Sequence, residues 1–149
     1  MKVMKAWRRG AVAVAVAAAT ASGGYALNHP AGAADARLGP GLVRVDVNIE
    51  HSRFSISDLK VRTGTLVQFI LHNNDPIHHE FILGPPSVHA AHERGTEAVH
   101  PPRPGEVSLN PEDVGETFYR FDTPGRVFFA CHLPGHLAYG MHGWVEVSN

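Results

Sequence analysis

From residue 42 to the end of the chain, hydrophobic and polar residues alternate in short runs that turn residues separate. In residues 42–49 every second position is a branched hydrophobic residue, namely Val43, Val45, Val47 and Ile49. Period-two alternation places these side chains on one face of an extended chain, as in a half-buried strand. Residues 65–72 are apolar on both faces and predict a central strand.

Shorter runs predict further strands at 54–56, 59–61, 79–83, 106–109, 117–121, 126–130 and 144–147. Gly, Pro and Asn residues between these runs supply turns. About eight short strands without a long helix predict an all-β protein with the architecture of an antiparallel β-sandwich. The Pro- and His-rich residues 87–105 predict a long loop, with one helical turn around residues 88–94.

The first 21 residues have the three parts of a secretory signal peptide. Lys and Arg residues open the chain, the apolar run 11–19 follows, and Ala19-Thr20-Ala21 has the small side chains of a cleavage site. Residues 22–40 are rich in Gly, Ala and Pro and predict a flexible linker, which leaves residues 41–149 as the folded domain. We therefore expect an exported protein (periplasmic, in the cell envelope or secreted) without stable membrane insertion after cleavage. An uncleaved N-terminal anchor is the alternative.

The charge of the chain changes once the signal peptide is set aside. The whole sequence has a formal net charge of −1, but nine basic and fourteen acidic residues follow residue 21. This net charge of −5 argues against nucleic acid as a partner and is compatible with a basic protein partner.

Residues 131–141 hold several metal-binding donors and the single cysteine of the chain. Cys131 has no partner for a disulfide, and a lone cysteine is most often a small core residue. Here, however, His136 and Met141 follow it in a C-x4-H-x4-M pattern, with Pro and Gly residues that let the loop fold back on itself. A thiolate, an imidazole and a weak thioether are donors that favour copper in electron-transfer sites.

A second imidazole is expected from a different strand, where His78 and His79 are adjacent candidates. Alternation places His79 on the apolar face with Phe81 and Leu83, whereas His78 lies on the other face with Glu80. The predicted ligand is therefore His79, and His78 is expected to point toward solvent.

Residues 42–149 resemble the cupredoxins, the family of plastocyanin, azurin and pseudoazurin. The resemblance rests on His79-Glu80-Phe81, on Tyr119-x-Phe121 and Pro124-Gly125, and on the motif Cys131-x4-His136-x4-Met141 before a final strand. It implies a Greek-key β-sandwich and a monomeric blue copper protein that carries single electrons between redox partners and is not an enzyme. One copper ion per chain would be bound by His79, Cys131, His136 and Met141.

Several residues near the predicted ligands are given other roles. The family carries Asn after the first His ligand, where it ties the two ligand loops together, but this chain has Glu80. Alternation turns Glu80 outward, so a red-copper site with Glu80 in place of Met141 is only a minor alternative. His132 is expected to point away from the metal. Around His136, an apolar docking face for a transient redox protein is predicted from Leu133, Pro134, Leu137 and Ala138.

The remaining histidines leave an alternative function open. His142 competes with Met141 as the axial donor, but the spacing favours Met141. His89, His92 and His100 are expected to be solvated loop residues, with a second metal site as the alternative. In that case the protein would be an extracytoplasmic copper-handling protein that delivers or sequesters copper. More than one copper ion per chain would favour that function over electron transfer.

Overall fold

A computed structural model describes residues 39–95 and 100–149. The predicted signal peptide (1–21) and nearly all of the predicted linker (22–40) lie outside the described residues. Within these residues, no helix has the length and apolar character needed to cross a membrane.

Eight β-strands and one α-helix make up the described domain. The strands are β1 (Gly41–Ile49), β2 (Asp58–Arg62), β3 (Thr65–Asn73), β4 (His79–Gly84), β5 (Glu106–Leu109), β6 (Val114–Phe121), β7 (Gly125–Ala130) and β8 (His142–Ser148). The helix α1 (Pro86–Glu93) lies between β4 and β5. It is longer than the single turn that the sequence predicts. The predicted run at 54–56 forms only an isolated bridge between Phe54 and Ile49.

The strands form two sheets, and the predicted β-sandwich of about eight strands is confirmed. One sheet has the order β1-β3-β6 and the other the order β2-β8-β7-β4-β5. Both are mixed, because β1 pairs with β3 and β2 with β8 in parallel while the other pairs are antiparallel. β3 is the central strand of its sheet, as its two apolar faces predict.

The hydrophobic core is centred on four phenylalanine rings. Phe81 of β4 lies 5.1 Å from Phe69 of β3 and 5.3 Å from Phe129 of β7, measured between ring centroids. Phe54 meets both Phe81 and Phe129 edge-on. Such offset and edge-on contacts stabilise a core beyond the burial of ring area alone. This core supports one end of the sandwich, where β4 begins and β7 ends.

Both faces of β4 are covered, which decides where its polar residues lie. All six residues of this strand are buried, and α1 packs against it. Pro86 lies in the first turn of the helix, a position that tolerates proline because its N–H has no partner there. Gly95 ends the segment with a φ of 69°, and its N–H donates to His92 O. The helix therefore turns the second face of β4 into an interior surface.

Candidate metal centre

Three of the predicted ligands converge at one end of the sandwich. His79 is the first residue of β4, Cys131 directly follows β7, and His136 lies in the loop before β8. Their candidate ligand atoms all lie within 4.8 Å of one another. The Cys131 Sγ atom is 3.3 Å from His136 Nδ1, and the rings of His79 and His136 are 4.8 Å apart. Alternation also separates the adjacent histidines as predicted, since His79 is buried and His78 is exposed.

The fourth predicted ligand, Met141, is fully buried, and backbone hydrogen bonds link it to Cys131 and His136. Cys131 N–H donates to Met141 O at 3.0 Å, and Met141 N–H donates to His136 O at 3.1 Å. Gly135 and Gly140 adopt positive φ angles of 87° and 90° at the turns between these residues. Because glycine adopts such angles without steric cost, the loop folds back and joins Met141 to Cys131 and His136 through backbone hydrogen bonds.

The orientation of the His79 ring leaves one nitrogen available to a metal. His79 Nε2 lies 2.9 Å from Asp75 Oδ2, whereas Nδ1 is buried and has no hydrogen-bond partner. The carboxylate accepts a hydrogen bond from Nε2–H, so Nδ1 is unprotonated and carries a lone pair. A buried acceptor without a donor is unfavourable unless a ligand occupies it. Ligand histidines commonly donate their other N–H to a carboxylate in this way.

Asp75 is a functional residue that the sequence patterns do not reveal. Its carboxylate accepts the backbone N–H groups of His51 and Ser52, each at 2.7 Å. Both of these residues have a φ of 53°, which is uncommon outside glycine. Although burial acts to raise the pKa of Asp75, these backbone donors and His79 hold it below its usual range. The carboxylate therefore fixes both a strained turn and the His79 ring. Its only signal in the sequence is its place in the turn Asn73-Asn74-Asp75-Pro76.

Burial also sets the protonation of the candidate ligands. Desolvation raises the pKa of the Cys131 thiol to about 11, so without a metal this sulfur holds its proton. Desolvation lowers the pKa of His79 and of His136, which favours neutral imidazoles with free lone pairs. A metal that binds here must displace the proton of the Cys131 thiol, whereas the two imidazoles are already neutral.

Glu80 is buried, and its predicted outward, solvent-facing position is wrong. Only 2% of the residue is exposed, because α1 covers the face of β4 that alternation assigned to solvent. Glu80 Oε1 accepts the backbone N–H of His132 at 2.8 Å, so its side chain ties β4 to the Cys131 loop. It therefore performs the bridging task that the family's Asn was expected to perform. Burial also raises the pKa of this carboxyl.

The other predicted residues of the loop separate into buried and surface groups. The His132 side chain points away from Cys131 and is 1% exposed, with its Nε2 atom 2.8 Å from His89 Nδ1. Pro134 and Ala138 are exposed, and Leu133, His136 and Leu137 are partly exposed. His142 is exposed as well.

The loop histidines depart from expectation. His89, His92 and His100 were expected to be solvated, but they are 6%, 7% and 7% exposed. They lie near Glu80, Glu106 and His132 rather than in solvent. α1, which the sequence only partly predicts, holds two of them against the domain.

Sequence and structure comparisons identify the family. A sequence model of the multicopper oxidase family matches residues 39–149. The structure of auracyanin B is similar, with 26% identity, a TM-score of 0.60 and coverage of 74% of this chain and 91% of auracyanin B. Auracyanin A, a blue copper protein of Chloroflexus aurantiacus, is 21% identical with a TM-score of 0.57, covering 72% of this chain and all of that one. The chain is a cupredoxin of the multicopper oxidase family.

The similar structures also include an enzyme. The copper nitrite reductase of Nitrosomonas europaea is also similar, at 19% identity and a TM-score of 0.53, covering 72% of this chain but 42% of the enzyme. No curated protein sequence matches this cupredoxin. Its buried thiol, two imidazoles and buried thioether fit copper by their chemistry, and the unpartnered His79 Nδ1 marks the interior of the site.

Proposed function

We propose that this cupredoxin is a one-electron carrier that holds one copper ion between His79, Cys131, His136 and Met141. The observation that carries the proposal is the convergence of the first three residues, whose donor atoms lie within 4.8 Å of one another. When bound, the copper ion would supply reversible exchange of a single electron. No separate catalytic group is needed for that task.

The protein's contribution is to keep its ligands in place in both oxidation states. His79 is fixed by Asp75 and by the start of β4, while Cys131 and Met141 are joined by a backbone hydrogen bond. Glu80 braces the same loop from the other side of the strand. Since these contacts do not depend on a metal, little rearrangement should accompany electron transfer.

A redox partner would dock at the loop that exposes His136. In the loop, the partly exposed His136 is flanked in sequence by Leu133, Pro134, Leu137 and Ala138, and Tyr139 after them is 68% exposed. A small apolar face of this kind suits transient contacts that form and separate quickly. The acidic net charge after residue 21 favours a basic partner. We propose further that the protein is exported and acts as a monomer.

The similar structures differ in how much of each one this chain covers. This chain covers 91% of auracyanin B and all of auracyanin A, whereas it covers 42% of the nitrite reductase. The match to the enzyme is thus a match to one part of a larger chain.

Addition of Cu(II) to the purified protein tests the site. We expect intense blue absorption from thiolate-to-copper charge transfer at one copper per chain, and its loss in Cys131→Ser. A variant of the exposed neighbour, His78→Gln, should keep the absorption. A colourless complex of wild-type protein with copper would contradict the proposal.

A further inference from the structure

A second group of metal-binding donors lies under α1, on the opposite face of β4 from His79. It consists of His92 from the helix, His100 from the following loop and Glu106 from the start of β5, all buried. Their donor atoms also lie within 4.8 Å of one another. His92 Nε2 is 3.0 Å and His100 Nε2 is 3.8 Å from the same oxygen, Glu106 Oε2.

The His100 ring is oriented as a ligand would be. Its Nδ1 atom lies 2.9 Å from the carbonyl oxygen of Pro101, which can only accept, so Nδ1 carries the proton. Nε2 then has a lone pair, is buried without a hydrogen-bond partner and faces the Glu106 carboxylate. Two acceptors face each other at a distance too long for a hydrogen bond. A cation between them satisfies both, and without one His100 Nε2 has no partner.

The distances suit a small divalent ion. With bonds of about 2.0–2.1 Å, ligand atoms around tetrahedral Zn²⁺ are about 3.4 Å apart. The observed 3.0 Å and 3.8 Å lie on either side of that value, so small ring movements would complete the geometry. Two imidazoles and one carboxylate form a donor set that proteins use for zinc, with a fourth position left for water.

The His92 proton has an acceptor available when an ion binds. In the absence of metal, His92 Nε2–H donates to Glu106 Oε2. For Nε2 to bind a metal, that proton must leave or the ring must carry its proton on Nδ1. Nδ1 is buried without a hydrogen-bond partner and lies 3.4 Å from Glu80 Oε2. When a metal binds Nε2, His92 Nδ1–H can therefore donate a hydrogen bond to Glu80 Oε2.

Other charged groups near the cluster are few in the described part of the chain. Arg103 places a half-exposed guanidinium 3.9 Å from Glu106 Oε2, at the solvent side. His132 lies behind His92, with ring centroids 6.1 Å apart, and bonds to His89. Two buried carboxylates, Glu80 and Glu106, therefore share this region, and a bound cation would add to the partial compensation that Arg103 gives Glu106.

We propose that His92, His100 and Glu106 form a second metal site that holds one divalent ion of the Zn²⁺ class. The His92 and His100 side chains are only 4% and 2% exposed. A site this buried should retain its ion, unlike the loading site of a copper-handling protein. The ion would fasten α1 and the start of β5 over β4.

Zinc titration of the purified full-length protein tests this proposal independently of electron transfer. The predicted copper site is first filled with one equivalent of copper, and Zn²⁺ binding is then measured by calorimetry and elemental analysis. We expect one zinc per chain, retained in Cys131→Ser, where the copper site is disabled. His100→Gln and Glu106→Gln should weaken zinc binding at least tenfold, while His72→Gln, a histidine bonded to Asp46 on the other sheet, should not.

Two results would overturn the second site. One is the absence of any bound zinc in Cys131→Ser, and the other is unchanged zinc affinity in His100→Gln and Glu106→Gln. If those variants fail to fold, wild-type crystals soaked in zinc decide the matter. An anomalous difference peak at the zinc edge between His92, His100 and Glu106 supports the site, and its absence contradicts it. A colourless complex of the wild-type protein with copper would instead contradict the carrier function and leave the zinc results unaffected.

Discussion

At the residue scale, the position of the His79 ring depends on a carboxylate four residues earlier. Asp75 accepts from His79 Nε2 and from the backbone of His51 and Ser52. A carboxylate partner makes the imidazole a stronger donor to a metal and favours the more highly charged Cu(II) state. We therefore expect Asp75 to have an electronic role besides its structural one.

Replacement of Asp75 by Asn separates these roles. Asn keeps the size of the side chain but lacks the charge, so we expect copper affinity to fall about 10- to 100-fold and the reduction potential to rise. The metal-free protein should also lose about 2 kcal/mol of stability, because hydrogen bonds to a buried charge are weakened. Voltammetry and chemical denaturation measure the two effects. A variant with lower stability but an unchanged potential would refute the electronic role.

At the element scale, α1 explains the main errors of the sequence predictions. Alternation correctly separates His78 from His79, and the C-x4-H-x4-M spacing correctly brings Cys131 and His136 together. Alternation wrongly places Glu80 in solvent, because strand periodicity contains no information about a helix that covers the second face of the strand. Asp75 and the contacts of His100 were also beyond reach, since both depend on residues that meet only after the loops fold.

The same helix buries an imidazole that should make stability depend on pH. His89 Nδ1 lies 2.8 Å from His132 Nε2, and His89 Nε2 lies 3.1 Å from Phe128 O, with Glu93 and His92 also nearby. Burial lowers the pKa of His89 below its usual value. Below about pH 6.5, His89 therefore binds a proton more readily in the unfolded chain than in the folded protein, and this difference lowers the stability of the fold.

We expect the metal-free protein to be most stable above pH 6.5 and to lose stability as the pH falls toward 5. One such histidine contributes at most about 1.4 kcal/mol per pH unit. His89→Gln retains hydrogen-bonding groups but does not titrate, so its unfolding free energy should vary less with pH over this interval. His142→Gln, at an exposed position, is the matched control. Equal pH dependence in His89→Gln and wild type would show that His89 does not contribute.

At the scale of the whole molecule, the proposed copper ligands lie at the end of the sandwich that carries the proposed docking face. Leu137 is partly exposed there, and its backbone oxygen accepts Gly140 N–H at 3.0 Å. Because that bond uses only the backbone, the side chain can be changed without opening the loop. This makes Leu137 a suitable position for testing the face.

Leu137→Gln should slow electron transfer to a basic c-type cytochrome about tenfold, because a polar side chain buried without partners disfavours the docked complex. Its blue absorption and its reaction with ferricyanide should be unchanged, since the substitution adds no charge and a small oxidant needs no apolar contact. Stopped-flow measurements with both oxidants give the comparison, and Val114→Gln, at an exposed position on β6, is the control. Equal slowing by both oxidants would show damage to the copper site rather than to docking.

The complete burial of β4 has a consequence for how this protein tolerates insertions and deletions. Neighbouring residues of one strand serve opposite sides, His79 toward the copper ligands and Glu80 toward the histidines under α1. Moving the strand by one residue against β5 and β7 would exchange the two faces. A single-residue length change in the turn before β4 that shifted this register would therefore disturb both clusters. The two clusters depend on the same register of one strand.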